Sequence, residues 1–350
     1  MYTFDINPQA MFDDRTHQFE KFGVPLDEIQ QVRARVTDMW ADAPGGWVYE
    51  WSQLAGRYAA AGDHRMASLV YGCAKFPCIN TPSRAAALAN QLEQFELAAK
   101  ELPVTFERRI ITVPYQGGTV EVATHLYSAD GNYPARPVLI GSGGVDTFKM
   151  DFDPWWVAFT QHAEVTTLAF DMPGTGESAV AMDRSADEVI RGIADYARTL
   201  GDGRVAHFGA SFGGNFSSYS GLSATVDAAI DLGGPVDHAF TPQNAGALPF
   251  GMRDILGNAL HLDAPPTQEQ LVASMAPLSR HDLLDQQSNS PMLVINGADD
   301  YFVPQADTLV FQGRPHTQVQ LVEGSGHCAM SAAGQVIPAM IGWLRMEFAA

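Results

Sequence analysis

The stretch that decides the fold reads Gly209-Ala210-Ser211-Phe212-Gly213-Gly214, and it follows the apolar run from Arg204 to Phe208. Glycines two positions before and after the serine permit a sharp turn from a strand into a helix, and such a turn exposes the serine hydroxyl. The pattern therefore predicts Ser211 as a nucleophile. A glycine-rich turn without a chemical role is the alternative, so the assignment depends on partners elsewhere in the chain.

A serine hydroxyl is a poor nucleophile until a base accepts its proton. A base is available in Gly324-Ser325-Gly326-His327, directly after the last predicted strand, whereas the other nine of the 10 histidines lie elsewhere. This position predicts His327 as the base, and an ordinary histidine in a surface loop is the alternative.

The acid that would orient the histidine is expected after the predicted strand Met292 to Ile295, where the chain reads Asn296-Gly297-Ala298-Asp299-Asp300. Asp300 is preferred because a Gly-x-x-Asp-x-x-Val-Pro pattern puts the acid at the tip of the loop, and Asp299 stays open as the alternative. The order serine, acid, histidine along the chain is typical of the α/β-hydrolase fold.

The sequence around these residues predicts a mostly parallel sheet. Beyond Pro103, a hairpin at Gln116-Gly117-Gly118 is followed by apolar runs that alternate with helical segments. The predicted strands cover residues 106–114, 119–127, 138–140, 165–170, 205–208, 226–232, 292–295 and 319–322. We therefore predict an α/β-hydrolase catalytic domain over residues 104–350.

Two further segments are predicted to be helical. Residues 1–103 lack strand-like runs of period two and form an N-terminal all-α segment. The segment from Pro235 to Ser290, about 235–290, is too long for an ordinary connection between neighbouring strands and helices. It predicts a helical cap insertion in the catalytic domain.

A negatively charged tetrahedral intermediate needs backbone N–H donors beside the nucleophile. The amide of Phe212, next to the serine, is one expected donor. The other is expected in the loop Gly141-Ser142-Gly143-Gly144-Val145-Asp146, where Gly144 and Val145 are the candidates. The same loop lacks the third glycine of a dinucleotide-binding motif and the lysine of a phosphate-binding loop.

Other polar and aromatic residues are weaker candidates for substrate binding. Asp171 and Glu177 belong to a turn after the predicted strand 165–170, and a role in the pocket competes with plain turn chemistry. Trp155 could line an apolar cavity, although packing in the core is the more usual use of tryptophan.

Composition and charge exclude several classes of protein. Twenty-one Lys and Arg against 40 Asp and Glu give a formal charge of −19, which repels phosphate backbones and anionic lipid surfaces. We expect neither a nucleic-acid nor a membrane partner. Without a signal-peptide pattern or an apolar run of bilayer length, a cytoplasmic protein is expected. Three cysteines without paired spacing predict neither a disulfide framework nor a zinc site.

Four motifs resemble one branch of the α/β-hydrolases, which holds the FrsA-like esterases, 2,6-dihydroxypseudooxynicotine hydrolase and the fungal polyketide-shortening hydrolases. These motifs are Gly143-Gly144-Val145-Asp146, Phe170-Asp171-Met172-Pro173-Gly174, Gly209-Ala210-Ser211-Phe212-Gly213-Gly214-Asn215 and Gly326-His327-Cys328. The resemblance implies a hydrolase without metal or organic cofactor that acts on a small-molecule carbonyl substrate. It also implies that the N-terminal helices and the insertion close over that substrate and help to form a homodimer.

The resemblance leaves three functions open. Its carbon-carbon bond hydrolases use an additional carboxylate after the strand that corresponds to Val226 to Leu232, and Asp237 is the acid closest to that place here. The absence of a nearby Glu favours cleavage of a carboxyl ester, lactone or thioester. Hydrolysis of a carbon-carbon bond beside a ketone is the alternative. A non-catalytic binding protein is a third possibility, because some relatives lack the serine.

Overall fold

The computed structural model describes residues 1–349 and divides the chain into two compact units. The first unit holds Met1–Leu102 together with Leu248–Pro266, and the second holds Pro103–Ala247 together with the chain from Thr267 onward. The segment predicted as a cap insertion, 235–290, therefore contributes residues to both units.

The helices and strands follow one another along the chain in a mixed order. The helices are α1 (Pro8–Phe22), α2 (Leu26–Arg33), α3 (Trp47–Ala60), α4 (His64–Lys75), α5 (Pro82–Ala98), α6 (Asp153–His162), α7 (Asp187–Leu200), α8 (Gly213–Leu222), α9 (Pro242–Gly246), α10 (Met252–Ala259), α11 (Gln268–Met275), α12 (His281–Leu284), α13 (Gln305–Leu309) and α14 (Ala333–Ala349). The strands are β1 (Thr105–Tyr115), β2 (Gly118–Ser128), β3 (Val138–Ser142), β4 (Thr166–Phe170), β5 (Val205–Ala210), β6 (Ala228–Leu232), β7 (Met292–Gly297) and β8 (Thr317–Val322).

The first unit is helical and packs around aromatic side chains. Trp47 and Trp51, one helical turn apart on α3, are both fully buried, and the ring of Phe12 from α1 lies 4.5 Å from that of Trp47. The indole nitrogen of Trp47 donates to the carbonyl of Cys73 over 2.9 Å. Helices α1 to α5 agree with the all-α character that the sequence predicts for the N-terminal third.

Helix α10 joins the first unit although it lies far from the N-terminal helices in sequence. The backbone amide of Tyr2 donates to Asn258 Oδ1 over 3.0 Å, and Asn258 Nδ2 donates back to the carbonyl of Tyr2 over 3.1 Å. A Cβ on Gly257 would lie 2.1 Å from the Tyr2 hydroxyl oxygen. The N-terminal residues thus pack closely on α10.

The second unit is built on one eight-stranded sheet in the order β1-β2-β4-β3-β5-β6-β7-β8. Strand β2 pairs antiparallel with β1 and with β4, and every other neighbouring pair is parallel. Strands β3 to β7 are buried along their whole length, as expected when helices cover both faces of a parallel sheet. The mostly parallel sheet flanked by helices confirms the predicted fold class.

The topology gathers the candidate residues at one edge of the sheet. Ser211 follows β5, Asp300 follows β7, His327 follows β8 and Gly144 follows β3. Parallel strands end at the same edge, and ligands of such sheets bind outside these carboxyl ends. Among the helices within residues 1–349, none combines the length and apolar character needed to cross a membrane.

Candidate active site

Ser211 occupies a strained turn between the end of β5 and the start of α8. Its φ is +54°, a conformation that non-glycine residues rarely adopt. The turn leaves no room for a side chain at Gly209, since a Cβ there would lie 2.1 Å from the carbonyl oxygen of Gly213. The amide of Ser211 donates to the carbonyl of Leu232 on β6 over 2.8 Å. Close backbone packing therefore fixes the serine at the edge of the sheet.

A continuous set of hydrogen bonds joins the three residues that the sequence singles out. His327 Nε2 lies 2.8 Å from Ser211 Oγ, and His327 Nδ1 lies 2.7 Å from Asp300 Oδ2. Asp299 is exposed, and its amide donates to the carbonyl of Ser325. Of the two adjacent acids, the structure therefore brings Asp300 to the imidazole.

The carboxylate of Asp300 is wholly buried and has several donors besides the imidazole. Its Oδ1 accepts hydrogen bonds from the amides of Phe302 and Val303 over 2.8 and 3.2 Å, and Oδ2 also accepts one from Asn296 Nδ2 over 2.9 Å. Burial by itself raises the pKa of Asp300, but the charge of His327 and these hydrogen bonds lower it below its usual value. Asp300 thus stays ionised beside the imidazole.

The protonated form of His327 is favoured by its surroundings. Burial lowers the pKa of the imidazole, whereas the adjacent Cys328 sulfur and the Asp300 carboxylate raise it, and the net pKa lies well above the usual 6.5. The ring of Phe302 meets the imidazole edge-on at 5.3 Å between centroids. The site therefore stabilises an imidazolium and restrains its orientation.

Two residues that carry candidate oxyanion donors, Gly144 and Phe212, lie directly beside the serine. A Cβ added to Gly144 would lie 2.7 Å from Ser211 Cβ, 2.8 Å from Ser211 Oγ and 3.6 Å from the amide nitrogen of Phe212. Among residues 1–349, no backbone carbonyl accepts a hydrogen bond from the amides of Gly144, Val145 or Phe212. None of the three amides is thus used by a backbone partner, and Gly144 and Phe212 are the two of these residues that lie next to the nucleophile.

A family model described as "Esterase FrsA-like" matches residues 35–332. The chain belongs to the FrsA-like family. Esterase FrsA of Salmonella typhi is 27% identical over 327 residues, which cover 82% of this chain and 76% of that protein. The family assignment and this relative make the FrsA-like chain a hydrolase.

Solved structures confirm the fold of this FrsA-like hydrolase. The structure of AbyA5 wild type superposes with a TM-score of 0.76 at 20% identity, over 96% of this chain and 98% of that one. The structure of 2,6-dihydroxy-pseudo-oxynicotine hydrolase superposes with a TM-score of 0.72 at 21% identity, over 93% of both chains. Together with the strand order, these similarities identify the α/β-hydrolase fold.

Asp171, a candidate for substrate binding, is buried in an ion cluster in this FrsA-like chain. Its two carboxylate oxygens accept hydrogen bonds from the backbone amide and the ammonium of Lys149 and from the amide of Glu177, over 2.6–2.9 Å. Its oxygens are therefore already engaged by protein donors, and the residue acts as an anchor for neighbouring loops.

Two further candidates for substrate binding, Trp155 and Asp237, have protein partners of their own. The ring of Trp155 on α6 lies 5.4 Å from Phe152 and 6.1 Å from Phe208, so it takes part in aromatic packing. Asp237 Oδ1 accepts a hydrogen bond from Ser279 Oγ over 2.6 Å, and Oδ2 lies 3.3 Å from His281 Nδ1. None of these contacts connects either residue to Ser211.

Asn296 is a part of the site that the sequence analysis did not single out. In addition to donating to Asp300, its side chain accepts a hydrogen bond through Oδ1 from the amide of Cys328 over 3.0 Å. One carboxamide thus connects the loops that carry the acid and the histidine. The available signal was its place directly after the predicted strand Met292 to Ile295, four residues before Asp300.

Asn215, in the elbow motif, belongs to a second network that the sequence did not reveal. Its Nδ2 donates to the carbonyls of Pro235 and Leu278, and its Oδ1 accepts from Arg280. Arg280 is fully buried and forms a bidentate ion pair with Asp187 over 2.6 and 2.8 Å. The network ties α8 to both stems of the long segment between β6 and β7.

A metal centre is not formed by side chains of the described part of the chain. No group of three or more His, Cys, Asp or Glu residues within 1–349 is arranged to hold an ion.

Proposed function

We propose that this FrsA-like hydrolase cleaves a carboxyl ester, lactone or thioester through an acyl-enzyme on Ser211. The observation that carries the proposal is the unbroken connection from Asp300 through His327 to Ser211, at 2.7 and 2.8 Å. A nucleophile, a base and an orienting acid at these distances are the arrangement that acyl transfer requires.

In the first half of the reaction, the Ser211 hydroxyl donates its proton to His327 Nε2 while Oγ bonds to the substrate carbonyl carbon. The imidazolium donates its Nδ1 proton in a hydrogen bond to Asp300, whose charge stabilises it. His327 then gives the Nε2 proton to the leaving oxygen or sulfur, and the bond between that atom and the carbonyl carbon breaks. The product is an ester of Ser211.

In the second half, water attacks this ester while His327 accepts a proton from the water. Collapse of the second tetrahedral intermediate returns the proton to Ser211 Oγ and releases the carboxylic acid. In both halves, the amides of Phe212 and of Gly144 or Val145 would donate to the oxyanion. Losing one such donor typically costs about 2.7 to 4 kcal/mol of barrier.

A fluorophosphonate probe tests the nucleophile, because it reacts with activated serines. We expect labelling of the wild type at Ser211, identified by peptide mass spectrometry, and none in Ser211→Ala. Ser217, buried on α8 with its hydroxyl donating to the Gly214 carbonyl, provides a matched control variant, Ser217→Ala, which should still be labelled. A folded wild type that neither reacts with the probe nor hydrolyses nitrophenyl esters of graded acyl length would refute the proposal.

A carbon-carbon bond hydrolase is the second candidate. It is favoured by the structural similarity to a protein whose name states that it hydrolyses 2,6-dihydroxy-pseudo-oxynicotine, and Asp237 is the nearest acid after β6. A panel that pairs nitrophenyl esters with β-diketones separates the two candidates. Turnover of diketones that Asp237→Asn abolishes, with ester turnover intact, would support the second; turnover of esters alone would exclude it.

We further propose that the protein forms a homodimer and is located in the cytoplasm, as the sequence analysis predicts. Sedimentation equilibrium at several protein concentrations measures the mass in solution, and a mass that stays at the monomer value of 37.9 kDa would contradict the dimer. Cell fractionation checks the location.

A further inference from the structure

The loop from Gly143 to Phe152, which we name the oxyanion loop, begins in close contact with the nucleophile turn. A Cβ on Gly213 would lie 2.3 Å from the carbonyl oxygen of Gly143, and a Cβ on Gly144 would touch the side chain of Ser211. A Cβ on Gly143 would lie 2.1 Å from the carbonyl oxygen of Thr147, so the loop also folds tightly on itself. This end of the loop is fixed by backbone packing.

The other end of the loop is held by Lys149. Its backbone amide donates to Asp171 Oδ1 over 2.8 Å, and its ammonium donates to Asp171 Oδ2 over 2.6 Å and to Glu177 Oε2 over 2.7 Å. Its carbonyl accepts a hydrogen bond from the indole of Trp156 over 2.7 Å. Amide, carbonyl and ammonium of this single residue are therefore all engaged.

The cluster around Lys149 is balanced in charge. The second oxygen of Glu177 accepts from Arg108 over 2.6 Å, so two cations face two carboxylates. The side chain of Lys149 is wholly inaccessible to solvent, and burial of an ammonium is strongly unfavourable unless anions surround it. Burial lowers the pKa of Lys149, but the two carboxylates raise it by more than burial lowers it, so the net shift is upward. The residue therefore stays charged and holds its partners instead of transferring protons.

We propose that Lys149, held by Asp171 and Glu177, is the positioning residue of the oxyanion loop, which keeps the amides of Gly144 and Val145 directed at the oxygen that becomes negative. The inference rests on the proposed function and deepens it. Oxyanion donors act because they are oriented before the reaction, so a loop that must reorganise loses stabilisation in the transition state specifically. Loss of Lys149 should thus lower kcat and leave KM nearly unchanged.

The test compares Lys149→Met, Lys149→Arg and Glu177→Gln with the wild type. For each variant, kcat and KM are measured on a short-chain nitrophenyl ester, together with the affinity for a trifluoromethyl ketone of the same acyl group, which forms a charged tetrahedral adduct on Ser211. We expect Lys149→Met to lower kcat about 10- to 100-fold and to weaken ketone binding by the same factor, with KM within about twofold. Glu177→Gln should give the same pattern, about 3- to 10-fold, and Lys149→Arg should restore part of the activity.

Asp187→Asn is the matched control, because it disrupts another buried ion pair, whose partners Arg280 and Arg184 lie outside the oxyanion loop. It should lower the unfolding midpoint without the joint loss of kcat and ketone affinity. If Lys149→Met does not fold, Glu177→Gln becomes the test of the inference. The Glu177 side chain is one-fifth exposed, so its substitution should disturb folding less. Folded variants that keep wild-type kcat, or that lose activity with ketone affinity unchanged, would overturn the inference. A wild type inert toward both ester and ketone would instead overturn the proposed function.

Discussion

Asn296 donates a hydrogen bond to Asp300 over 2.9 Å and, through its other side-chain atom, accepts one from the residue that follows His327. The loops that carry the acid and the histidine are thus held together by a residue whose side chain has no hydrogen bond to the serine. When the residues of a site come from separate loops, hydrogen bonds between those loops keep the residues in their relative positions.

Asn296→Ala is expected to lower kcat about tenfold, because the acid and the imidazole lose a common support. Asn289→Ala is the control, since that carboxamide donates to Ser290, Pro315 and Thr317, at the starts of β7 and β8 and not at their carboxyl ends. Steady-state kinetics on a nitrophenyl ester measures both. An Asn296→Ala variant as active as the control would show that the carboxamide has no part in the alignment.

Asp300→Asn is expected to lower kcat by about 10⁴-fold, because an amide cannot stabilise the imidazolium and favours the wrong tautomer of the histidine. Asp299→Asn, one position earlier and exposed, should stay within about twofold of the wild type. The pair distinguishes the two acids in a single kinetic comparison. The opposite ranking would transfer the role to Asp299.

Gly144→Ala is expected to lower kcat at least tenfold, since the new Cβ would lie 2.7 Å from Ser211 Cβ and must displace either the loop or the serine. Gly342→Ala on α14, where a Cβ meets nothing within 4 Å, is the matched control. It should leave kcat unchanged and, as an alanine within a helix, raise the unfolding free energy slightly. Equal activity of the two variants would contradict the close approach of the loop.

The pH dependence follows from the upward shift of the pKa of His327. Burial lowers this pKa, but Cys328 and Asp300 raise it to well above 6.5, and only the neutral imidazole can accept the serine proton. We expect kcat/KM to fall as the pH drops through that raised pKa, with the acidic limb above pH 6.5. A limb below pH 6 in the kcat/KM profile would contradict the shift.

The same shift affects stability with a defined sign. Because the folded pKa of His327 is raised, its protonation stabilises the fold below the unfolded value of about 6.5, and this contribution is lost as the pH rises through the folded pKa. Urea unfolding of wild type and His327→Gln at pH 6 and pH 9 measures it. The difference in unfolding free energy between the two proteins should be larger at pH 6. A larger difference at pH 9 would contradict the upward shift of the His327 pKa.

Arg280→Met is expected to cost about 3 to 5 kcal/mol of unfolding free energy, since it leaves the carboxylate of Asp187 buried without its main partner. Arg136→Met, which breaks the exposed pair with Asp130, should cost no more than about 1 kcal/mol. Urea titration followed by circular dichroism checks both. The double variant Arg280→Met/Asp187→Leu should recover much of the loss, and similar losses for both single variants would argue against the network.

The sequence was informative where chemistry has a fixed local signature. The spacing of Gly209, Ser211 and Gly213 predicted the strained turn, because only glycine fits where two backbones nearly touch. The apolar runs predicted the sheet, since strands buried on both faces read as continuous hydrophobic segments. The strand ends shifted by one or two residues, as with β5, which continues to Ala210.

The supports of the site were harder to predict. Lys149 is separated by 22 and 28 residues from its carboxylate partners, and nothing local distinguishes a buried lysine from one at the surface. Asp171 was a candidate for the substrate pocket for the same reason. The sequence shows a carboxylate after a strand but not the lysine that forms an ion pair with it. Long-range ion pairs need the fold before they can be assigned.

The assignment of residues 248–266 to the helical unit means that the chain passes from one unit to the other three times, after residues 102, 247 and 266. Neither unit is a single contiguous piece, so a chimera that exchanged only the first 102 residues with those of a relative would mismatch Tyr2 with Asn258 and the helix that carries it. Recombination within this family should therefore preserve folding best when both stretches come from the same parent.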